Sequence, residues 1–482
     1  MGIEAKLEKI SQKLSDLWML GVFVIFVYYT DNAYFNMLEA KAQIFQFVAL
    51  LFVGFSTIVV LGKLNFLPVK ETLAKYMKSL NGLDYFVFLF GVSSILSNLV
   101  TEHKNEALLG SYGWSVGTIW VIGLCAVYFY VSSQVKLSKA ICWIVGAATG
   151  LQYVLVVLNG FYVDVFSLHQ NLAAKDYVRY VGTIGNTNWY VGYVVMTLPF
   201  LLLGTHYLKV AESVGLRLLL IFATMSCITI NCQGVYLGVG GILFFYLLWA
   251  MKNKRQLMIA LMNFGIMTIS VGILAMIGRV LPMVSLDGIN SLVITAKCWG
   301  SVLGLVAVVA VILAKTKEEH YNKIRKYLQG AVVLLGVVFA GVILTCQIKE
   351  FDDHWGTNRG RIWKVAVKAF RESAPVHKLF GVGTNCFGFC YKQITGSDWV
   401  RNAHNEFLEY LVTTGILGLV SYVGIYAQVL LRKGKDNAVA IACKLAVVGY
   451  MAQAVVNNPQ ALNGAIFFTI LAIYRRSQKE VL

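Results

Sequence analysis

The stretch of this sequence best equipped for chemistry is Arg401-Asn402-Ala403-His404-Asn405-Glu406-Phe407-Leu408-Glu409-Tyr410, a polar, ionisable cluster directly ahead of an apolar run to Leu431. Undisturbed imidazole titrates near pH ~6.5, so His404 at a membrane–water boundary can take a proton from an incoming hydroxyl and later release it. That is general-base chemistry. Asn405 suits the N-cap of the following helix, and Glu406 and Glu409 fall in its first turn, where carboxylates favour the positive end of the helix dipole. Simple capping accounts for these residues as well as orienting the imidazole or holding an acceptor does. Gly415 and Gly418 share one helical face and let another helix approach closely.

A second set lies upstream, between Lys349 and Ala403. Arg361, Lys364, Lys368 and Arg371 recur at three- or four-residue spacing, which puts them on one face of a helix, with Ile362, Val365, Ala366, Ala369 and Phe370 spread over the other. Such a helix rests on anionic headgroups or grips an anionic substrate. The guanidinium fork holds an oxyanion bidentately where an ammonium cannot, so Arg361 is the preferred anion contact over Lys364 and Lys368. Gly381-Val382-Gly383 forms either a tight turn or an oxyanion contact. Gly185–Asn188 is either an Asn-capped helix start or a set of backbone amides facing an anion, with Arg179 and Tyr180 beside it. Asp352-Asp353-His354 invites a metal reading, but three adjacent residues do not easily converge on one ion. His103, His169 and His377 read as solvated surface histidines. Lys297 falls inside an apolar run, where a charge normally faces the protein interior, and Lys444, near the end of another, is expected to snorkel.

These residues need a scaffold, and composition names its class. Of 482 residues, 58% are hydrophobic and 13% charged, with a mean hydropathy of +0.68, which excludes an ordinary soluble domain. A helix crossing the hydrocarbon core takes about 20 apolar residues. Runs of that kind near 17–35, 43–62, 84–100, 117–133, 140–158, 187–208, 217–232, 234–250, 257–278, 291–314, 328–347, 405–431, 438–456 and 460–474 predict an all-α polytopic membrane bundle of about fourteen helices. The whole of 1–482 reads as one membrane domain, with the 217–232 and 234–250 pair broken or re-entrant. The polar first sixteen residues and the lack of a cleavage site leave the first span as an anchor.

The net charge of +17 would suggest nucleic acid in a soluble protein. Here the Lys and Arg collect in alternate connections, among them Lys136, Lys435 and Lys479, which is the positive-inside bias and puts both termini in the cytoplasm and His404 outside. Nucleic acid is not an expected partner. Segment 349–403 is then a large external loop, with nine basic residues against five acidic ones. Its Trp, Phe and Gly content predicts that it folds. Nine cysteines, mostly in apolar runs, read as small buried hydrophobes, with only Cys386 and Cys390 placed to pair.

His404-Asn405, nine intervening residues, then Gly415-x-x-Gly418 resembles the signature of the O-antigen ligase and polymerase superfamily. The stretches Arg361–Phe370, Leu379–Gly383 and Gly182–Asn188 also look like that family, whose core corresponds to about 217–431. The resemblance implies a metal-independent, cofactor-free glycosyltransferase at the outer face of a bacterial cytoplasmic membrane. Its donor is a glycan on a polyprenyl diphosphate, its acceptor a glycan or lipid-linked glycan, its surroundings membrane lipids. It implies His404 as base, Arg361 or nearby Arg359 against the diphosphate, and single displacement with inversion. One departure matters: where many members carry an arginine at a span start, this chain has Asn231-Cys232-Gln233-Gly234. Diphosphate binding would then lean on Arg179, Arg279 or the loop helix. A transporter or a non-catalytic scaffold of a surface-polymer assembly are the rival readings.

Overall fold

The structure, a computed structural model, describes residues 3–64, 69–111, 113–134, 138–434 and 436–478. Lys136, Lys435 and Lys479, expected on the cytoplasmic side, lie outside the described residues. In lipid every backbone polar group must find an internal partner, so the apolar runs close their hydrogen bonds within helices. Among the described residues nine helices are long and apolar enough to cross a membrane, against about fourteen expected. Thr118–Ser133, Gly234–Ala250, Gly415–Leu430 and Ala438–Ala454 are apolar but shorter. The strand content described is one two-residue ladder, Tyr180–Val181 against Gly185–Asn186.

Three of the boundaries that differ from the sequence pattern have a clear local reason. The run 405–431 splits into Glu406–Thr413 and Gly415–Leu430, because Gly415 sits at φ +70° where a Cβ would collide with the Leu379 carbonyl oxygen. The run 217–232 starts earlier than the apolar pattern marks. It is the end of a full helix from Val210 to Thr229, and Asn231 at φ +47° makes the turn into Gly234–Ala250. The run 328–347 extends back to Glu318, its polar first turns supported by a Glu319–Lys323 pair four residues apart at 2.7 Å.

The chain divides into two compact units. The first holds Met1–Ala148, Gly356–Val447 and Ala454–Leu482. In it Gly82–Val100 packs along Gly415–Leu430, and Thr118–Gln134 along Ala461–Ser477. Trp18 donates its indole N–H to Thr469 at 3.0 Å, and Phe90 lies among Tyr410, Tyr422 and Phe468. Residues 356–403 fold as helices over a core of Ile362, Val365, Ala366, Ala369, Phe387, Tyr391, Val400 and Ala403. The second unit holds Thr149–Trp355 and Val448–Gln453. There Thr187–Tyr207 packs on Val210–Thr229 and Gly234–Ala250, while Lys254–Ile277 packs on Ala296–Lys315. Tyr190 bonds Ser226 at 2.6 Å, and the Asn263 amide N–H donates to Thr205 at 2.9 Å, pairing polar groups inside this bundle.

Candidate functional site

The site is built from the backbone outward. His404 sits in the left-handed region, φ +49°, which for a non-glycine residue costs about 1 kcal/mol and needs support from its surroundings. That support is present on both sides. The Ala403 N–H donates to Glu409 Oε2 at 2.7 Å, and the His404 carbonyl accepts from the Trp363 indole at 3.4 Å. Asn405 closes the arrangement as N-cap, its side chain accepting the Leu408 N–H at 3.0 Å. The backbone at 403–405 is therefore held by three anchors from two helices.

Its electrostatics follow from burial first and from Arg359 second. Together they push the His404 imidazole down to about 4, so the ring is neutral and able to accept a proton at physiological pH. Arg359, partly buried, donates Nη1 to the Gly356 carbonyl at 2.8 Å. Gly356, Thr357 and Asn358 all take positive φ, 59°, 62° and 67°, so a left-handed turn delivers the chain into Arg359 and the regular helix begins only there.

The amphipathic helix has the expected faces. Ile362, Val365, Ala366 and Ala369 are buried, and Arg361, Lys364, Lys368 and Arg371 are exposed. Lys368 lies 3.9 Å from Glu372. Of the two arginines at its start, Arg359 acts on His404, while Arg361 stands on the outer face. Glu406 is buried and accepts the Tyr422 hydroxyl, and Tyr422 also meets Tyr426 at 3.0 Å. Glu409 is 1% exposed, and its second oxygen, Oε1, has no hydrogen-bond partner among the described residues.

Other candidates fall elsewhere. Gly381-Val382-Gly383 makes a turn whose amides are engaged: Gly381 donates to the His377 carbonyl at 2.7 Å and Gly383 to the Ser97 hydroxyl at 3.0 Å. Thr384 and Asn385 are buried, bonded to Ser94 and Ser111 at 2.8 Å, so this turn docks the loop rather than presenting donors to an anion. Cys386 and Cys390 are free thiols, not a disulfide. Arg179 belongs to the second unit, where it is exposed and bonds Asp176 at 2.9 Å. Asn186 caps its helix through the Asn188 N–H at 2.8 Å. Lys297, expected deep in a span, is an exposed residue in the first turn of Ala296–Lys315. Lys444 Nζ lies 3.9 Å from Asp436 Oδ1. The Asp352 carboxylate accepts the His354 N–H at 2.9 Å, a local turn. His169 is buried rather than solvated, its Nε2 3.0 Å from the Tyr180 carbonyl oxygen, and His103 stacks on Phe389.

Trp363 went unread in the sequence because its service is to a backbone carbonyl 41 residues away. Its place four residues after Arg359, one helical turn on, is the signal that could have found it.

Comparison with known proteins adds one finding. Residues 291–423 match the Wzy_C family, described as O-Antigen ligase. No curated protein matches the chain.

Proposed function

We propose, from the premise that residues 291–423 form an O-antigen ligase domain within an all-α membrane protein, that the chain is a glycosyltransferase of ligase or polymerase type. It works at the outer face of a bacterial cytoplasmic membrane, with both termini inside. The donor is a glycan on a polyprenyl diphosphate, and the acceptor is a glycan or lipid-linked glycan. The neutral His404 imidazole takes the proton of the acceptor hydroxyl. As it does so, the acceptor oxygen bonds to the anomeric carbon, and the bond from that carbon to the diphosphate oxygen breaks. The diphosphate leaves with the electron pair, and the configuration inverts in the single displacement. Arg359 faces the charge developing on the leaving group. Arg361, Lys364 and Lys368, on the exposed face, draw the anionic donor toward the helix and rest on headgroups.

The observation that supports this reading is the fixed His404, held in a strained conformation with the Arg359 charge acting on its ring. An anion bound at Arg359 offsets that cation and raises the basicity of the imidazole, so donor binding arms the base. The test is transfer from a purified polyprenyl-diphosphate-linked oligosaccharide. His404→Ala should lower it by roughly 10²–10⁴-fold at unchanged abundance. Near-normal transfer by this variant would end the enzymatic assignment of the histidine.

A further inference from the structure

The strongest unassigned feature lies at the far end of the helix that begins beside the site. Gly415–Leu430 has sixteen residues, about 24 Å of rise, and beyond its C-terminus opens a pocket of about 540 Å³. Its lining comes from three segments of the first unit: Lys78–Leu83 with Asn81, Gln428–Gly434 around the helix end, and the last helical turn Tyr474–Gln478 with Arg475. All three lie at the end of the bundle expected on the cytoplasmic side.

The floor is rigid. Arg475, 4% exposed, donates Nε to both Asp84 oxygens at 3.0 and 2.9 Å and Nη2 to the Ser79 carbonyl at 2.6 Å. Asp84 also accepts the Tyr128 hydroxyl at 2.7 Å and the Asn81 N–H at 2.7 Å. Asp84 is thus saturated, whereas Arg475 Nη1 has no partner among the described residues and belongs to a side chain that lines the pocket. Over this floor stand Lys78, Arg432 and Lys433, exposed and with no ion pair among the described residues. Among the described residues no carboxylate lines the pocket. Asp436, on the same connection as Arg432, lies 3.9 Å from Lys444. Cations after a helix C-terminus are ordinary partners of the helix dipole, but that dipole amounts to about half a charge, and three cations face one cavity.

We propose that this pocket binds a phosphate-bearing anion, with a donor from the fixed Arg475 beneath and Lys78, Arg432 and Lys433 closing around it. Basic pockets between membrane helices on the cytoplasmic side suit the headgroup of an anionic phospholipid, and a soluble phosphate offers the same chemistry. This site is independent of the glycosyl-transfer reading, since it shares no residue with the His404 site.

The test uses the full chain in neutral detergent, following its melting temperature against added phosphatidylglycerol, phosphatidylcholine or inorganic phosphate at constant ionic strength. Phosphatidylglycerol should raise the melting temperature saturably and phosphatidylcholine should not. The double variant Arg432→Gln/Lys433→Gln should weaken the apparent affinity by roughly thirtyfold, about fivefold per cation, while the exposed pair Lys323→Gln/Lys326→Gln should change it less than about twofold. A shift by inorganic phosphate alone, with the same dependence on Arg432 and Lys433, supports the pocket and assigns it a soluble ligand. Equal responses to both phospholipids, or equal effects of the two double variants, would overturn the proposal.

Discussion

Two buried carboxylates in the first unit, Asp84 and Glu409, share near-complete burial, at 3% and 1% exposure, and differ in how they are satisfied. Asp84 has a guanidinium, a phenol and a backbone N–H. Among the described residues Glu409 has the single Ala403 N–H and a bare second oxygen. Burying a charge is tolerated when it is paired and hydrogen-bonded, so Asp84 belongs to the scaffold. A buried carboxylate with an unused acceptor, placed against the backbone that strains His404, is the under-satisfied polar group expected where a site is prepared. The fold is held firmly at one end and left incomplete at the other.

The comparison breaks most visibly at Asp84. Asp84→Ala leaves Arg475 buried without its counter-ion and should cost about 3–5 kcal/mol, read as a large fall in melting temperature or loss of folded protein. An unchanged melting curve would remove Asp84 from the scaffold. Next in size is the contrast between two arginines. Arg359→Lys keeps the charge but loses the fork, and transfer should fall by roughly ten- to a hundredfold, the scale of a charged hydrogen bond. Arg361→Lys, on the exposed face, should change it less than about twofold. The reverse ranking would return the leaving-group role to Arg361. Smallest is Glu409→Gln in stability: the amide oxygen still accepts the Ala403 N–H, and the cost should be about 1 kcal/mol or less.

What the sequence revealed divides along the same line. The amphipathic helix was legible because its pattern is local: Arg361, Lys364, Lys368 and Arg371 repeat with the helical period, and Ile362, Val365, Ala366 and Ala369 fill the buried face. Asn405 as N-cap was legible for the same reason. The influence of Arg359 on the His404 ring was not, because it follows the left-handed turn at 356–358, which periodicity does not encode. Nor was the Asp84–Arg475 pair, whose members are 391 residues apart. The split of 405–431 had its signal in Gly415, which was read for helix packing when its positive φ was the point.

The central claim is that His404 is a base whose basicity is set by burial and by Arg359. The sign is fixed by the direction of the shift: with the ring pushed down to about 4 from its usual 6.5, it stays neutral through the mildly acidic range and is lost as a base only as pH falls through about 4. The direct measurement is the acid limb of kcat/KM for transfer, which reports the free enzyme, in wild type and in Arg359→Gln. The expected result is half-maximal activity near pH 4 in wild type, moving toward 6.5 in Arg359→Gln, where burial alone depresses the ring. An acid limb near 6.5 in both proteins would contradict the account.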